Sequence, residues 1–135
     1  ILSIKMKKII LLTLFVASSI QVSAQHIKLL APKPFGGYNS LISKVVYDEE
    51  LIRKRVQGII VVRFSVNEKG VVEFCKIVKS LNPKLDKAVI DAVRSTVFLP
   101  GIKDGNKTTM QVDLPLLFKD GNVSRDLSAF KIPQD

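Results

Sequence analysis

Cysteine, histidine and tryptophan are nearly absent from this chain, and their scarcity excludes several kinds of site. Its 135 residues include one cysteine, one histidine and no tryptophan. Cys75 cannot form an internal disulfide, so the apolar core must hold the fold by itself. No cysteine and histidine cluster has the spacing of a zinc site, and no glycine-rich segment has the spacing of a phosphate-binding loop. We therefore expect no catalytic residue, no metal site, no cofactor, no small-molecule substrate and no enzymatic activity.

An apolar stretch near the N-terminus is typical of a secretory signal peptide. A basic segment begins at Met6, the predicted start, and twelve mainly apolar residues run from Ile9 to Ile20. Small residues at Val22 and Ala24 match the positions that signal peptidase reads. We expect residues 1–24 to be removed and the protein to be secreted across the inner membrane into the periplasm. The alternative is an uncleaved membrane anchor, although a helix that spans a bilayer needs ~20 apolar residues.

The charge balance narrows the class of partner. Loss of residues 1–24 would leave 18 basic and 12 acidic residues, a net charge of +6. Such a balance suits nucleic acid, an anionic membrane surface or an acidic protein. Secretion argues against nucleic acid, and the lysines are scattered along the sequence rather than clustered. We therefore interpret most of this charge as a solvated basic surface.

Alternating apolar residues predict three strands. Residues 59–66 and 71–79 flank the turn Asn67–Gly70, which predicts a hairpin. Val72 is out of phase with Cys75 and Ile77, and a β-bulge near Glu73-Phe74 would restore the phase. Residues 108–118 alternate as a third strand, in which Pro115 favours a position at the sheet edge because it has no N–H to donate.

Helical periodicity and capping residues predict two main helices and a short one before them. Asp48 is the expected N-cap of the first main helix, which we expect to run to Gly58. Asn82 is the expected N-cap of the second, with Pro83 in its first turn. Asn39 or Ser40 is expected to cap the short helix. Asp104-Gly105-Asn106 lacks the later ligands of a calcium loop, so we interpret it as a turn.

The order of these features resembles the C-terminal domain of TonB, an envelope protein that docks on outer-membrane receptors. The resemblance covers Tyr47 to about Phe118 and depends on combined spacing, since no single position is diagnostic. The chain has Asp48 where the family has proline, and Thr96 where the family often has tryptophan. The family-motif positions that carry the resemblance most clearly are Tyr47, Gly58, Gly70, Phe98, Pro100 and Gly101.

The resemblance, together with the periodicity, implies an α+β fold. We expect a three-stranded antiparallel or mixed sheet in the order 2-1-3, with two main helices packed on one face and a short N-terminal helix. Residues 25–37 would be a leader, residues 38–118 the TonB C-terminal-like domain, and residues 119–135 a C-terminal tail.

The resemblance also implies a protein-binding function through β-augmentation, in which a partner segment adds a strand to an exposed edge. The partner would be an N-terminal segment of a TonB-dependent outer-membrane receptor. Two alternatives remain: a structural or regulatory envelope protein with a different partner, including a homodimer through paired edges, and a membrane-tethered minimal energy transducer. The expected partner-binding residues on the edge strand are Thr108, Thr109, Met110, Gln111, Val112, Asp113 and Leu114.

Overall fold

A computed structural model describes residues 27–127 of the chain. The predicted signal peptide, residues 1–24, lies outside the described residues. The strands are β1 (Leu29–Leu30), β2 (Lys33–Pro34), β3 (Gly58–Val66), β4 (Val72–Lys79), β5 (Phe98–Leu99), β6 (Gly101–Lys103), β7 (Asn106–Thr108), β8 (Met110–Lys119) and β9 (Asn122–Ser124). The helices are α1 (Tyr38–Ile42), α2 (Glu49–Arg53) and α3 (Pro83–Arg94).

The main sheet is antiparallel, and its strands lie in the order β4-β3-β8-β9. Strand β3 is central, and every second residue along it is buried. Helix α3 packs against β3 and β4 with its apolar face. The α+β fold class is confirmed. The largest buried side chains of the core are Phe64, Phe118, Leu41, Ile60, Leu85 and Leu116.

The hairpin between β3 and β4 forms at the predicted turn. The Asn67 side chain accepts hydrogen bonds from the backbone N–H groups of Lys69 and Val71, at 2.9 and 3.0 Å. Gly70 closes the turn with a φ of 79°. Glu73 and Val78 have no partner in β3, so β4 is bulged at two places. The bulge at Glu73 is the one that the apolar pattern required, because it returns Val72 to the core side.

The helix caps agree with the sequence at two positions and differ at a third. The Asp48 and Asn82 side chains each accept a hydrogen bond from the first turn of α2 and α3. Helix α1 begins after Gly37 without a side-chain cap, so the prediction of Asn39 or Ser40 was wrong. Helix α2 also ends earlier than Gly58, because Arg55 takes a left-handed conformation with a φ of 54°.

The leader forms structure of its own. Strand β1 pairs with β6, and β2 pairs with β5. Both ladders have the same register, and Pro32 and Pro100 lie between them. Neither proline can donate a backbone hydrogen bond, which explains why one antiparallel ribbon appears as two short ladders.

The main sheet extends past the predicted end of the domain at Phe118. Strand β8 continues to Lys119, and β9 returns beside it. Asp120 and Gly121 form the turn with φ values of 50° and 79°, the conformation of a tight two-residue hairpin. Residues 119–124, which we expected to begin a tail, therefore belong to the sheet.

Candidate partner-binding edge

Strand β8 is covered unequally on its two sides. On one side it pairs with β3 at nine consecutive positions, from Met110 opposite Val66 to Phe118 opposite Gly58. On the other side, β9 pairs only with residues 117–119. Within residues 27–127, the β8 segment from Met110 to Leu116 therefore has no strand beside it on that second side.

The hairpin to β9 fixes which backbone groups face the open side. A two-residue turn is flanked by a hydrogen-bonded pair, here Lys119 and Asn122. Alternate residues of a strand direct their N–H and C=O groups to the same side. Residues 117, 115, 113 and 111 therefore point these groups toward β9 or its continuation. The open edge offers the N–H and C=O groups of Gln111 and Asp113 and the C=O group of Pro115.

Pro115 explains why β9 is short. The next hydrogen-bonded pair beyond Leu117 and Ser124 would place Asp126 opposite Pro115, which has no N–H to donate. Instead, the N–H of Asp126 donates to the Ser124 hydroxyl at 2.9 Å, and the chain turns. Arg125 then stacks on the Tyr38 ring, with its guanidinium carbon 3.6 Å from the ring centroid. The proline thus limits the chain's own strand and leaves the rest of the edge open.

The predicted edge residues divide between two strands. Thr108 lies in β7, where it pairs with Gly101, and Thr109 lies between β7 and β8. The other five form the first half of β8. In this half, side chains that point toward the core alternate with the exposed side chains of Gln111 and Asp113. The open edge of β8 therefore begins at Met110, and Thr108 and Thr109 lie before it.

A charged row crosses the outer face of the sheet beside this edge. Arg63 pairs with Lys76 of β4 on one side and with Asp113 of β8 on the other. The Arg63 guanidinium donates to both oxygens of the Asp113 carboxylate, at 2.7 and 3.0 Å. This hydrogen bonding holds the pKa of Asp113 below its ordinary value and raises the pKa of Arg63. The bidentate contact fixes one exposed side chain of the edge strand.

Three family-motif residues, Gly70, Phe98 and Tyr47, stabilise the sheet and do not lie on the open edge. The Phe98 N–H donates to the Gly70 carbonyl at 3.0 Å, and a Cβ at Gly70 would overlap the Phe98 carbonyl oxygen. The rings of Phe98 and Phe64 lie 5.2 Å apart. The hairpin and the segment after α3 are thus held in direct backbone contact, which explains why glycine is needed at one and a buried aromatic at the other.

Tyr47 packs against the C-terminal end of β8. Its hydroxyl donates to the Val56 carbonyl at 2.6 Å, and its ring meets Phe118 edge to face at 5.3 Å. Burial, with a smaller contribution from Asp120, raises the pKa of the Tyr47 hydroxyl. The phenol therefore stays protonated and remains a hydrogen-bond donor.

The two departures from the motif have local partners. Asp48 caps α2 and also forms an ion pair with Lys84 of α3, which lowers the pKa of Asp48. Thr96 is buried, and its hydroxyl donates to the Ala92 carbonyl at 2.7 Å. Asp48 thus links α2 to α3, whereas Thr96 closes the last turn of α3.

The described part of the chain has neither a cluster of metal ligands nor a helix that could span a membrane. Residues 27–127 contain no group of three or more histidine, cysteine, aspartate or glutamate side chains arranged to hold a metal ion. Nor does any helix in this range have the length and hydropathy needed to cross a bilayer.

Comparison with known proteins identifies the family. The sequence profile described as "Gram-negative bacterial TonB protein C-terminal" matches residues 43–119, more than half of the chain. The chain belongs to the TonB C-terminal domain family. No curated protein sequence is similar enough to count as a match.

A solved TonB C-terminal domain shares this fold. A solution structure of the Helicobacter pylori TonB domain is 22% identical, with 62% of this chain and 89% of that chain covered and a TM-score of 0.51. The Pseudomonas aeruginosa TonB domain is 19% identical, with coverage of 73% and 90% and a TM-score of 0.49. Membership of the TonB family implies a protein-interaction module of the bacterial envelope.

Proposed function

We propose that this protein is a periplasmic TonB-like module that binds an extended segment of a protein partner by strand addition at β8. The single observation that carries the proposal is the open edge from Met110 to Pro115, which β9 leaves uncovered. Main-chain groups of Gln111, Asp113 and Pro115 would supply the hydrogen bonds of the new strand. The partner in this proposal is an N-terminal segment of a TonB-dependent outer-membrane receptor.

The side chains at this edge would add selectivity. Gln111 and Asp113 are exposed on the outer face, and Asp113 is held there by Arg63. A partner strand places alternate side chains on the same face, beside these two. Polar or cationic side chains on the partner would be favoured next to the Asp113 carboxylate.

The proposal includes the location and the chemical class. We propose that residues 1–24 are removed on secretion and that the module binds without catalysing a reaction. The intact mass of the protein recovered from the envelope distinguishes a chain that begins at Gln25 from one that keeps its N-terminal segment. A retained segment would support the tethered transducer instead.

An NMR titration with receptor N-terminal segments from the same cell tests strand addition. We expect chemical shift changes in residues 110–115 and in their β3 partners, with the β4 amides unchanged. Gln111→Pro removes one donor on the open side without removing a hydrogen bond to β3, and we expect binding to weaken roughly tenfold. Gln111→Ala keeps the N–H group and is the matched control.

Three results would contradict the proposal. Absence of shifts at millimolar segment concentration would favour an envelope protein with a different partner. Shifts on β4 would move the site to the opposite edge. Equal binding by Gln111→Pro and Gln111→Ala would show that the main chain of β8 does not carry the contact.

A further inference from the structure

The ribbon formed by β2 and β5 exposes apolar side chains on one face. Lys33 lies opposite Leu99 and Pro34 lies opposite Phe98. The Phe35 N–H continues this ladder by donating to the Val97 carbonyl at 2.8 Å. Pro34 and Phe98 are buried, whereas Phe35, Val97 and Leu99 are 69, 65 and 52% exposed. We call the exposed face, made of Lys33, Phe35, Val97 and Leu99, the ribbon patch.

This exposure is not a consequence of a loose segment. The ladder hydrogen bonds hold the backbone, and Phe98 is locked to Gly70 on the inner face. Three large apolar side chains are therefore presented side by side on a fixed backbone. Adjacent exposed apolar side chains of this kind mark interaction surfaces, whereas scattered ones do not.

The segments that build the ribbon are basic, and two acidic side chains of the β3–β4 hairpin, Glu68 and Glu73, lie beside Thr109 next to β7. Residues 27–35 and 97–108, which build this ribbon and the adjoining β6–β7 hairpin, contain four lysines and one aspartate. The aspartate, Asp104, accepts a hydrogen bond from the Lys28 N–H at 3.2 Å. The lysines are all exposed: Lys28, Lys33, Lys103 and Lys107. Exposed apolar groups with lysines around them are typical of a surface that lies on an anionic bilayer.

The position of the ribbon patch in the chain points to the same occupant. Strand β2 begins nine positions after Ala24, the end of the predicted signal peptide, and Leu29 and Leu30 of β1 are also more than half exposed. Ile27 lies seven positions after Ile20, the end of the predicted apolar stretch. A chain segment of that length spans at most ~25 Å, so the predicted apolar stretch would bring the ribbon close to the membrane that the chain crosses on secretion.

We propose that the ribbon patch docks this protein on the surface of an anionic phospholipid bilayer. Phe35, Val97 and Leu99 enter the headgroup region, and the nearby lysines contact anionic headgroups. This surface shares no residue with the β8 edge.

Tryptophan fluorescence provides a local test, because the natural chain contains no tryptophan. The protein is purified from the envelope as the Leu99→Trp variant and mixed with vesicles of phosphatidylethanolamine and phosphatidylglycerol at 3:1. We expect a blue shift of emission and quenching by brominated lipid, with neither change for phosphatidylcholine vesicles. Val46→Trp is the control for an exposed apolar position outside the ribbon, since Val46 is 72% exposed and the neighbouring Lys84 and Lys87 form ion pairs with Asp48 and Asp91.

Charge reversal sharpens the test. Lys33→Glu in the Leu99→Trp background should weaken vesicle binding at least fivefold. Lys79 is an exposed lysine of β4, and Lys79→Glu should weaken vesicle binding less than twofold. Equal effects of the two reversals would overturn docking by the ribbon patch, and so would a Leu99→Trp emission that vesicles leave unchanged. A blue shift that depends on protein concentration without vesicles would assign the patch to a second copy of the chain instead.

Discussion

The two edges of the main sheet are built in different ways. Strand β4 pairs only with β3 among the described residues, and it is bulged at Glu73 and Val78. Lysines 76 and 79 are exposed along it. Strand β8 pairs with β3 without a bulge, and its open half is bounded by Pro115. Bulges and lysines are the usual protection of an edge against pairing, whereas a regular edge accepts a strand.

This difference shows how one sheet can be open on one side only. The bulges of β4 interrupt the even spacing of its outward backbone groups, so a partner strand cannot follow it for long. On β8 the groups of Gln111 and Asp113 keep that spacing. The proline then limits both the chain's own β9 and the length of any added strand.

Gly70→Ala should have the largest effect, because it disturbs the turn that leads into β4. The new Cβ would overlap the Phe98 carbonyl, and the φ of 79° disfavours any side chain. We expect a loss of about 3 kcal/mol in the free energy of unfolding, measured in urea. Gly105→Ala has a similar φ in open space, so about 1 kcal/mol is expected there. Equal losses would show that the contact with Phe98 contributes nothing.

Pro115→Val tests whether the proline sets the extent of the open edge of β8. The substitution supplies an N–H on the open side and removes the limit on β9, so we expect β9 to extend past Ser124 and the new amide at position 115 to be protected in hydrogen exchange. Thr109→Val is the control, because it raises strand propensity without adding a donor. A freely exchanging amide at position 115 would indicate that the proline is not what ends β9.

Asp113 should give the smallest effect, on the pH dependence of stability. Its pKa is held below the ordinary 3.8 by the hydrogen bond from Arg63. A lowered carboxyl pKa adds stability that is complete above the ordinary value and is lost as pH falls through the lowered one. The difference between the wild type and Asp113→Asn in urea midpoint should therefore shrink below pH 3.8.

Arg63→Gln tests the origin of this pH dependence. It should remove the same pH-dependent part of stability as Asp113→Asn, and the double variant should remove no more than either single one. An additive double variant would mean that the two side chains act independently. Both groups are partly solvated, so the effect is expected to be small.

Features that depend on neighbouring residues were predictable from the sequence. The alternation in β3, the turn closed by Gly70 and the caps Asp48 and Asn82 arise from interactions over a few residues. The bulge at Glu73 was also predictable, because two apolar sets in one strand had opposite phases. The early end of α2 was not predicted. Left-handed residues at helix ends are usually glycine or asparagine, and position 55 is an arginine.

The pairing of segments that are distant in sequence could be seen only in the tertiary structure. The leader pairs with residues about 70 positions later, and its short apolar segments gave no periodicity from which to predict strands. The sequence alone indicated that Pro115 belongs at a sheet edge, because proline has no N–H to donate. Whether that edge stays open depended on where β9 stops, because strand pairing is set by the register between separate segments and not by the pattern within one.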